Sequence, residues 1–148
     1  MSLTLEIEDA RWRKLRGISA RLKKAVTAAL AAAAADPDGD LTLLLATDRK
    51  LRALNRDFRG RDVPTNVLSF PSDAEGYLGD IAIAYGVAAG EAKAAGRTLA
   101  DHATHLAVHG VLHLIGFDHG TPRQAEAMEV LEARILKTFD IANPYETR

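Results

Sequence analysis

All five histidines of the chain fall between positions 102 and 119: His102, His105, His109, His113 and His119. The core of that stretch reads His109-Gly110-Val111-Leu112-His113-Leu114-Ile115-Gly116-Phe117-Asp118-His119. Residues four apart on a helix stand one turn above each other on the same face, about 6 Å along the axis. His109 and His113 can therefore aim two imidazoles at one point. Gly116 can adopt the left-handed conformation that ends a helix, and a chain turned back there brings His119 to the same point from a third side. Any fold of this chain must accommodate that helix, its stop and the returning loop. Three neutral imidazoles leave one tetrahedral corner open to water, the pattern of a catalytic zinc centre rather than a closed structural one. One Zn2+ ion is expected, held by His109, His113 and His119. Nickel and iron suit the same donors, and tetrahedral preference favours zinc.

The two other histidines lie upstream on the same segment. His105, one turn before His109, reads as a core residue or a support for a ligand ring, and so does His102. Asp118 reads either as a support that orients a ligand histidine through its other ring nitrogen or as a turn residue.

The chain has no cysteine, which excludes disulfides, thiolate metal sites and cysteine nucleophiles. Its 148 residues suit one domain, so 1–148 is read as a single unit. No apolar run approaches the ~20 residues that span a bilayer, and the N-terminus lacks the features of a secretory signal. These points favour a cytoplasmic protein without a membrane partner. The net charge of −1 argues against a general nucleic-acid binder, but it conceals an asymmetry. Residues 1–61 carry 13 Lys and Arg against 8 Asp and Glu, whereas residues 62–148 carry 6 against 12. A basic half can meet an anionic partner, or it can be a set of solvated helix faces.

Periodicity gives the elements. Alternating Leu3, Leu5 and Ile7 predict a strand over 3–8. Trp12, Leu15, Leu22, Val26 and Ala29 predict a helix from Arg11 to Ala35, stopped by Asp36-Pro37-Asp38-Gly39-Asp40. Leu41–Ala46 predicts a buried strand. Thr47 or Asp48 can cap a short helix with Leu51, Leu54 and Phe58 on one face. Asn66–Phe70 and Asp80–Ala84 predict strands, with Pro71–Gly79 as a loop between them. Tyr85–Ala95 predicts a helix, and a longer one starts at Thr98-Leu99-Ala100-Asp101, where Asp101 can complete a capping box. The last helix opens at Thr121-Pro122-Arg123-Gln124, a second capping box. Its glutamates Glu126, Glu129 and Glu132 come early, as the helix dipole favours, and the tail from Asn143 is expected to fray. Strands and helices in this order predict an α+β layer structure, a small sheet backed by helices.

Two further patterns bear on chemistry. The histidine spacing H-x3-H-x2-G-x2-H is that of the metzincin zinc proteases, which carry a general-base glutamate after the first histidine. Gly110 stands there instead, so the metal geometry is kept while the peptidase base is missing. The second pattern is Leu54-Asn55-Arg56-Asp57-Phe58-Arg59-Gly60-Arg61-Asp62-Val63-Pro64-Thr65-Asn66-Val67-Leu68-Ser69-Phe70-Pro71. Arginine binds phosphate bidentately and keeps its charge at any working pH. Arg56, Arg59 and Arg61 are thus candidate phosphate contacts, and Thr65 and Asn66 can add neutral hydrogen bonds to a backbone or sugar. Arg13, Lys14, Arg16, Arg21, Lys23 and Lys24 are candidates to track a nucleic-acid backbone. Phe58, Phe70 and Tyr77 read as core or loop residues.

These segments together resemble the YbeY family of endoribonucleases. The resemblance is carried by Phe58-Arg59-Gly60, by Pro64-Thr65-Asn66-Val67-Leu68-Ser69-Phe70-Pro71, by Leu78-Gly79-Asp80-Ile81 and by the eleven residues from His109 to His119. Phe117 stands where tyrosine is common in the family. The resemblance implies a zincin-like α+β fold, with a small mixed sheet packed against helices. It implies His109, His113 and His119 as metal ligands, with Arg59 and His113 among the catalytic groups. The implied activity is cleavage of single-stranded RNA, with DNA not expected as a substrate. The implied role is maturation of the 3′ end of small-subunit ribosomal RNA and ribosome quality control, with ribosomal RNA and the small subunit as partners. Two rivals remain from the residues alone. One is a zinc peptidase or amidase using Asp80 or Asp118 as base; the other is a ribosome-binding module with a structural zinc.

Overall fold

In the structure, a computed structural model, residues 2–33 and 39–146 are described. The sheet is built on alternation. Leu41, Leu43 and Leu45 of β2 (Asp40–Ala46) and Ile81 and Ile83 of β4 (Tyr77–Ala84) are buried on one face. Ala46, Ala82 and Ala84 are buried on the other. With β1 (Leu3–Ile7) and β3 (Val67–Pro71), these strands form a four-stranded mixed sheet in the order β1-β2-β4-β3. The pairs β1–β2 and β2–β4 are parallel, and β3 runs antiparallel to β4 at the edge.

The larger apolar layer holds α1 (Ile18–Ala32), α4 (Leu99–Leu114) and α5 (Pro122–Lys137) against the first face. On the opposite face α2 (Asp48–Arg59) contributes Leu51 and Leu54 to a smaller cluster. Between β4 and α4 runs α3 (Tyr85–Ala94), which joins that cluster through Val87 and the larger core through Ala88. Asp48, in the first turn of α2, accepts the Val87 backbone N–H at 3.0 Å and so ties two helix starts together. This arrangement is the expected α+β fold, with five α-helices among the described residues on a small mixed sheet, and it agrees with a zincin-like architecture. No helix among the described residues is long and apolar enough to cross a membrane.

Four elements differ from the sequence expectation. The helix predicted from Arg11 is two pieces, a 3₁₀ turn at Ala10–Lys14 and then α1, because Gly17 at φ 74° breaks the run. Trp12 of the first piece is fully buried, and its Nε1–H donates to the Ala46 carbonyl. The predicted end of that helix at Ala35 and the turn at Asp36-Pro37-Asp38 lie outside the described residues. Strand β4 starts at Tyr77 rather than Asp80. The pairing with β2 jumps from Tyr77 to Gly79, leaving Leu78 over, so part of the stretch read as loop is a bulge inside a strand, next to Gly79 at φ 142°. Thr98 caps α4 by accepting the Asp101 N–H, but the Asp101 carboxylate pairs with Arg21 instead of closing a box. The Thr121–Gln124 box of α5 is complete. Phe58 is 66% exposed and meets only the edge of Phe70, rather than joining Leu51 and Leu54 inside.

Candidate metal centre and its cleft

The histidines occupy one face of α4. His102, His105, His109 and His113 follow each other at steps of three, four and four, the spacing of a helical row. The opposite face carries Ala103, Ala107 and Val111, fully buried in the main core. The helix stops as the sequence implies. Gly116 has φ 108°, its N–H donates to the His113 carbonyl, and the Phe117 N–H donates to the Leu112 carbonyl. Those two bonds are a Schellman motif, which needs a residue free to take positive φ at Gly116. The chain then turns back, and Asp118 fixes the turn by accepting the His119 backbone N–H at 2.7 Å. Among the described hydrogen bonds the Asp118 carboxylate reaches no ring nitrogen, so it holds the position of His119 through the backbone.

One nitrogen from each of His109, His113 and His119 lies within 4.8 Å of the other two. These three residues can hold a metal ion. Burial lowers the His113 pKa, and nearby His109 and His119 lower it further, so its imidazole is neutral near neutral pH, as a metal ligand must be. His109 Nδ1–H donates to Glu132 Oε1 at 2.6 Å, which leaves Nε2 with its lone pair for an ion. The donor set fits zinc: three imidazoles, one of them oriented from behind by a carboxylate.

Glu132 is the functional residue that sequence reading missed. It is fully buried, accepts from His105 at 2.9 Å as well as from His109, and accepts the Tyr145 hydroxyl. Burial is the largest influence on it and raises its pKa. The hydrogen bonds from His105, His109 and Tyr145 together outweigh burial and hold it down at about 2. It is therefore ionised, an anion placed behind the histidine row. His105 shares this carboxylate with His109. Glu132 lies four residues after Met128 and four before Leu136, on the buried stripe of α5, but that spacing alone does not say which groups it meets. Within the tail expected to fray from Asn143, Tyr145 returns to Glu132.

The histidines open into a cleft of about 610 Å³ along the free edge of β3. Asn66 and Leu68 belong to the set of residues that bond toward β4, as the Ala84 N–H to Asn66 carbonyl bond shows. Val67, Ser69 and Pro71 therefore turn their backbone groups to the cleft. The Ser69 hydroxyl donates to the Gly110 carbonyl at 2.8 Å and pins the edge strand to α4. A Cβ at Gly110 would stand 2.8 Å from Ile81 Cγ2. That close packing explains why no side chain, and so no glutamate base, occupies position 110.

Arg59 ends α2 on the far side of β3. Its guanidinium reaches round the edge, donates to the Ser69 carbonyl at 2.9 Å and lies 5.7 Å from the Phe70 ring centre. It lines the same cleft as the three histidines. Buried Asn55 steadies this corner by donating to the Val63 carbonyl. Asn66 and Asp118 also line the cleft, whereas Arg56, Arg61 and Thr65 do not. Arg56 is exposed and paired with Asp57 at 3.0 Å. Asp80 accepts the Tyr77 hydroxyl beside Thr42, on the sheet face away from the histidines, which removes it as a base for this centre.

Comparison with known proteins agrees with these features. The family model described as Endoribonuclease YbeY matches residues 6–140. A relative from Dinoroseobacter shibae named Endoribonuclease YbeY is 45% identical, over 97% of this chain and 91% of its own. One of the same name from Sphingopyxis alaskensis is 46% identical, over 92% of each chain. Among solved structures, the solution structure of a Thermotoga maritima protein matches with a TM-score of 0.58 at 21% identity, over 98% of this chain and 99% of that one. The last likeness is one of fold.

Proposed function

The chain belongs to the endoribonuclease YbeY family, and from that membership we propose that it is a zinc-dependent endoribonuclease that cuts single-stranded RNA. The proposed role is trimming of the 3′ end of small-subunit ribosomal RNA and ribosome quality control, in the cytoplasm. The observation that carries the reading is that Arg59 and the three-histidine group line one cleft, so a cation that recognises phosphate faces a metal site.

When bound, zinc supplies Lewis acidity that polarises a phosphoryl oxygen and brings the pKa of a water toward neutrality. The chain's own residues do the rest. His109, His113 and His119 present the donor atoms, and Glu132 fixes the tautomer and tilt of His109. Arg59 spends one N–H on Ser69 and keeps other donors for the phosphate. It is held in place before charge develops there, the condition under which such a group stabilises a transition state. The free edge of β3 offers backbone groups to an extended strand. Arg61, Thr65 and Asn66 are proposed as further substrate contacts, and Arg56 as one that first releases Asp57.

Two routes break the bond, and their products differ. Attack by water leaves a linear phosphate, whereas attack by the ribose 2′-OH leaves a 2′,3′-cyclic phosphate and spares DNA. The test uses small ribosomal particles carrying 3′-extended RNA, incubated with wild-type protein and Arg59→Ala. Trimming by the wild type, at least about a hundredfold slower in Arg59→Ala as expected for loss of one preorganised donor, supports the proposal. Untouched extensions with wild-type protein, or equal cutting of duplex and single strand, overturn it.

A further inference from the structure

A second cavity, of about 530 Å³, opens beside the metal cleft and shares Asn66 and His109 with it. Its volume lies in the range of small-molecule sites. Alanines at the end of α3 and Leu106 give it apolar walls, and Glu91, His102 and Tyr145 supply polar groups. No lysine or arginine lines it among the described residues, so nothing in it would hold a phosphate.

The hydrogen bonds define what it would hold. The Glu91 carboxylate accepts Asn66 Nδ2 on Oε1 at 3.1 Å and on Oε2 at 3.3 Å, and it also meets His102 Nε2 on Oε1 at 2.9 Å. A carboxylate has about four acceptor positions, so the remaining one is on Oε2. The Tyr145 hydroxyl gives its proton to Glu132 and is left with oxygen lone pairs. The groups still open to a ligand are thus acceptors, set among apolar walls. A flat apolar ligand with an edge donor satisfies both, and an RNA strand whose phosphate lies against Arg59 carries such groups as its bases. Resting on the ribonuclease reading above, we propose that this cavity takes the base of a nucleotide next to the cleaved phosphate and selects, through Glu91, a base with an exocyclic amino group.

Adenine, cytosine and guanine carry that group. Uracil's one edge donor, N3–H, lies between two carbonyl oxygens that both repel the carboxylate, so the hydrogen bond to Glu91 is largely lost. A hydrogen bond to a charged group that is lost in this way costs about tenfold or more in affinity. Glu91 is a specificity residue in this proposal: it also holds Asn66, so a loss of cleavage in a Glu91 variant would not by itself identify its role.

The test titrates adenosine, cytidine and uridine into the full chain while following the Leu106 methyl resonances, which report this cavity without needing activity. The expected result is saturable shifts with adenosine and cytidine, and uridine weaker by about tenfold or more. Glu91→Gln, whose amide can offer N–H to uracil O4 and its oxygen to an amino group, should remove the discrimination against uridine, and Ala94→Phe at an exposed position should abolish all shifts. The idea fails if there are no shifts, if all three nucleosides bind equally, or if Ala94→Phe changes nothing. Cleavage of labelled RNA, measured alongside, separates the two claims. RNA cut without nucleoside binding sinks the base pocket alone. Nucleoside binding without RNA cutting sinks the ribonuclease reading and leaves a nucleoside site.

Discussion

Glu132 shows how one buried charge organises the centre. A carboxylate in the core is costly unless it is fully hydrogen-bonded, and here two imidazoles and a phenol satisfy it. Glu132→Gln keeps the shape and removes the charge behind His109. Zinc affinity, measured by competition with a chromogenic chelator, should fall about 10- to 100-fold, the usual cost of losing such a partner, while the thermal melt still shows a folded protein. Unchanged affinity would remove Glu132 from the metal account. Gly110 makes the complementary point. Gly110→Ala forces a Cβ against fully buried Ile81, and urea denaturation should show a loss of about 1–3 kcal/mol from overpacking. The three-histidine group and the Gly116 stop were legible in the sequence because spacing along one helix and its stop is local information. Glu132 and Tyr145 were not, because their roles exist only once α5 and the tail pack beside α4.

The elements repeat this division. Caps and stops set by neighbouring residues, such as the Thr121–Gln124 box and the Gly116 turn, follow directly from the chain. The misread elements are those in which a distant partner decided. Asp101 is drawn to Arg21 across 80 residues, and Tyr77–Gly79 joins β4 because β2 is there to pair with it. Gly17 is a local signal, a glycine within a helical period that marks a break. Gly17→Ala, placing a Cβ at φ 74°, should cost about 1–2 kcal/mol by the steric penalty of the left-handed region. Denaturation with an unchanged midpoint would mean that the junction before α1 relaxes freely.

Across the whole molecule the charge asymmetry is partly internal. Arg21 pairs with Asp101 and Arg52 with Asp62, each joining the basic half to the acidic half. The charge expected to face RNA is that of Arg59 at the cleft rather than that of the paired Arg21 on α1. Each phosphate contact to a single strand adds about 0.7 to the slope of log affinity against log salt. Arg59→Ala should reduce that slope by about this amount, and Arg21→Gln should leave it unchanged; the opposite pattern would put the RNA on α1. The α+β class and the order of strands and helices were readable because periodicity survives at that length, whereas the cleft needed β3 at the sheet edge to bring Arg59 to the histidines.

On this proposal RNA cleavage depends on an ion held by His109, His113 and His119, assisted by Arg59. The direct measurement is single-turnover cleavage of a labelled single-stranded RNA by metal-stripped protein before and after zinc is returned, beside His113→Ala and Arg59→Ala. Cleavage should appear with zinc in the wild type and be lost in both variants, with their folds intact. Equal cleavage by all three proteins, or cleavage indifferent to zinc, would contradict it.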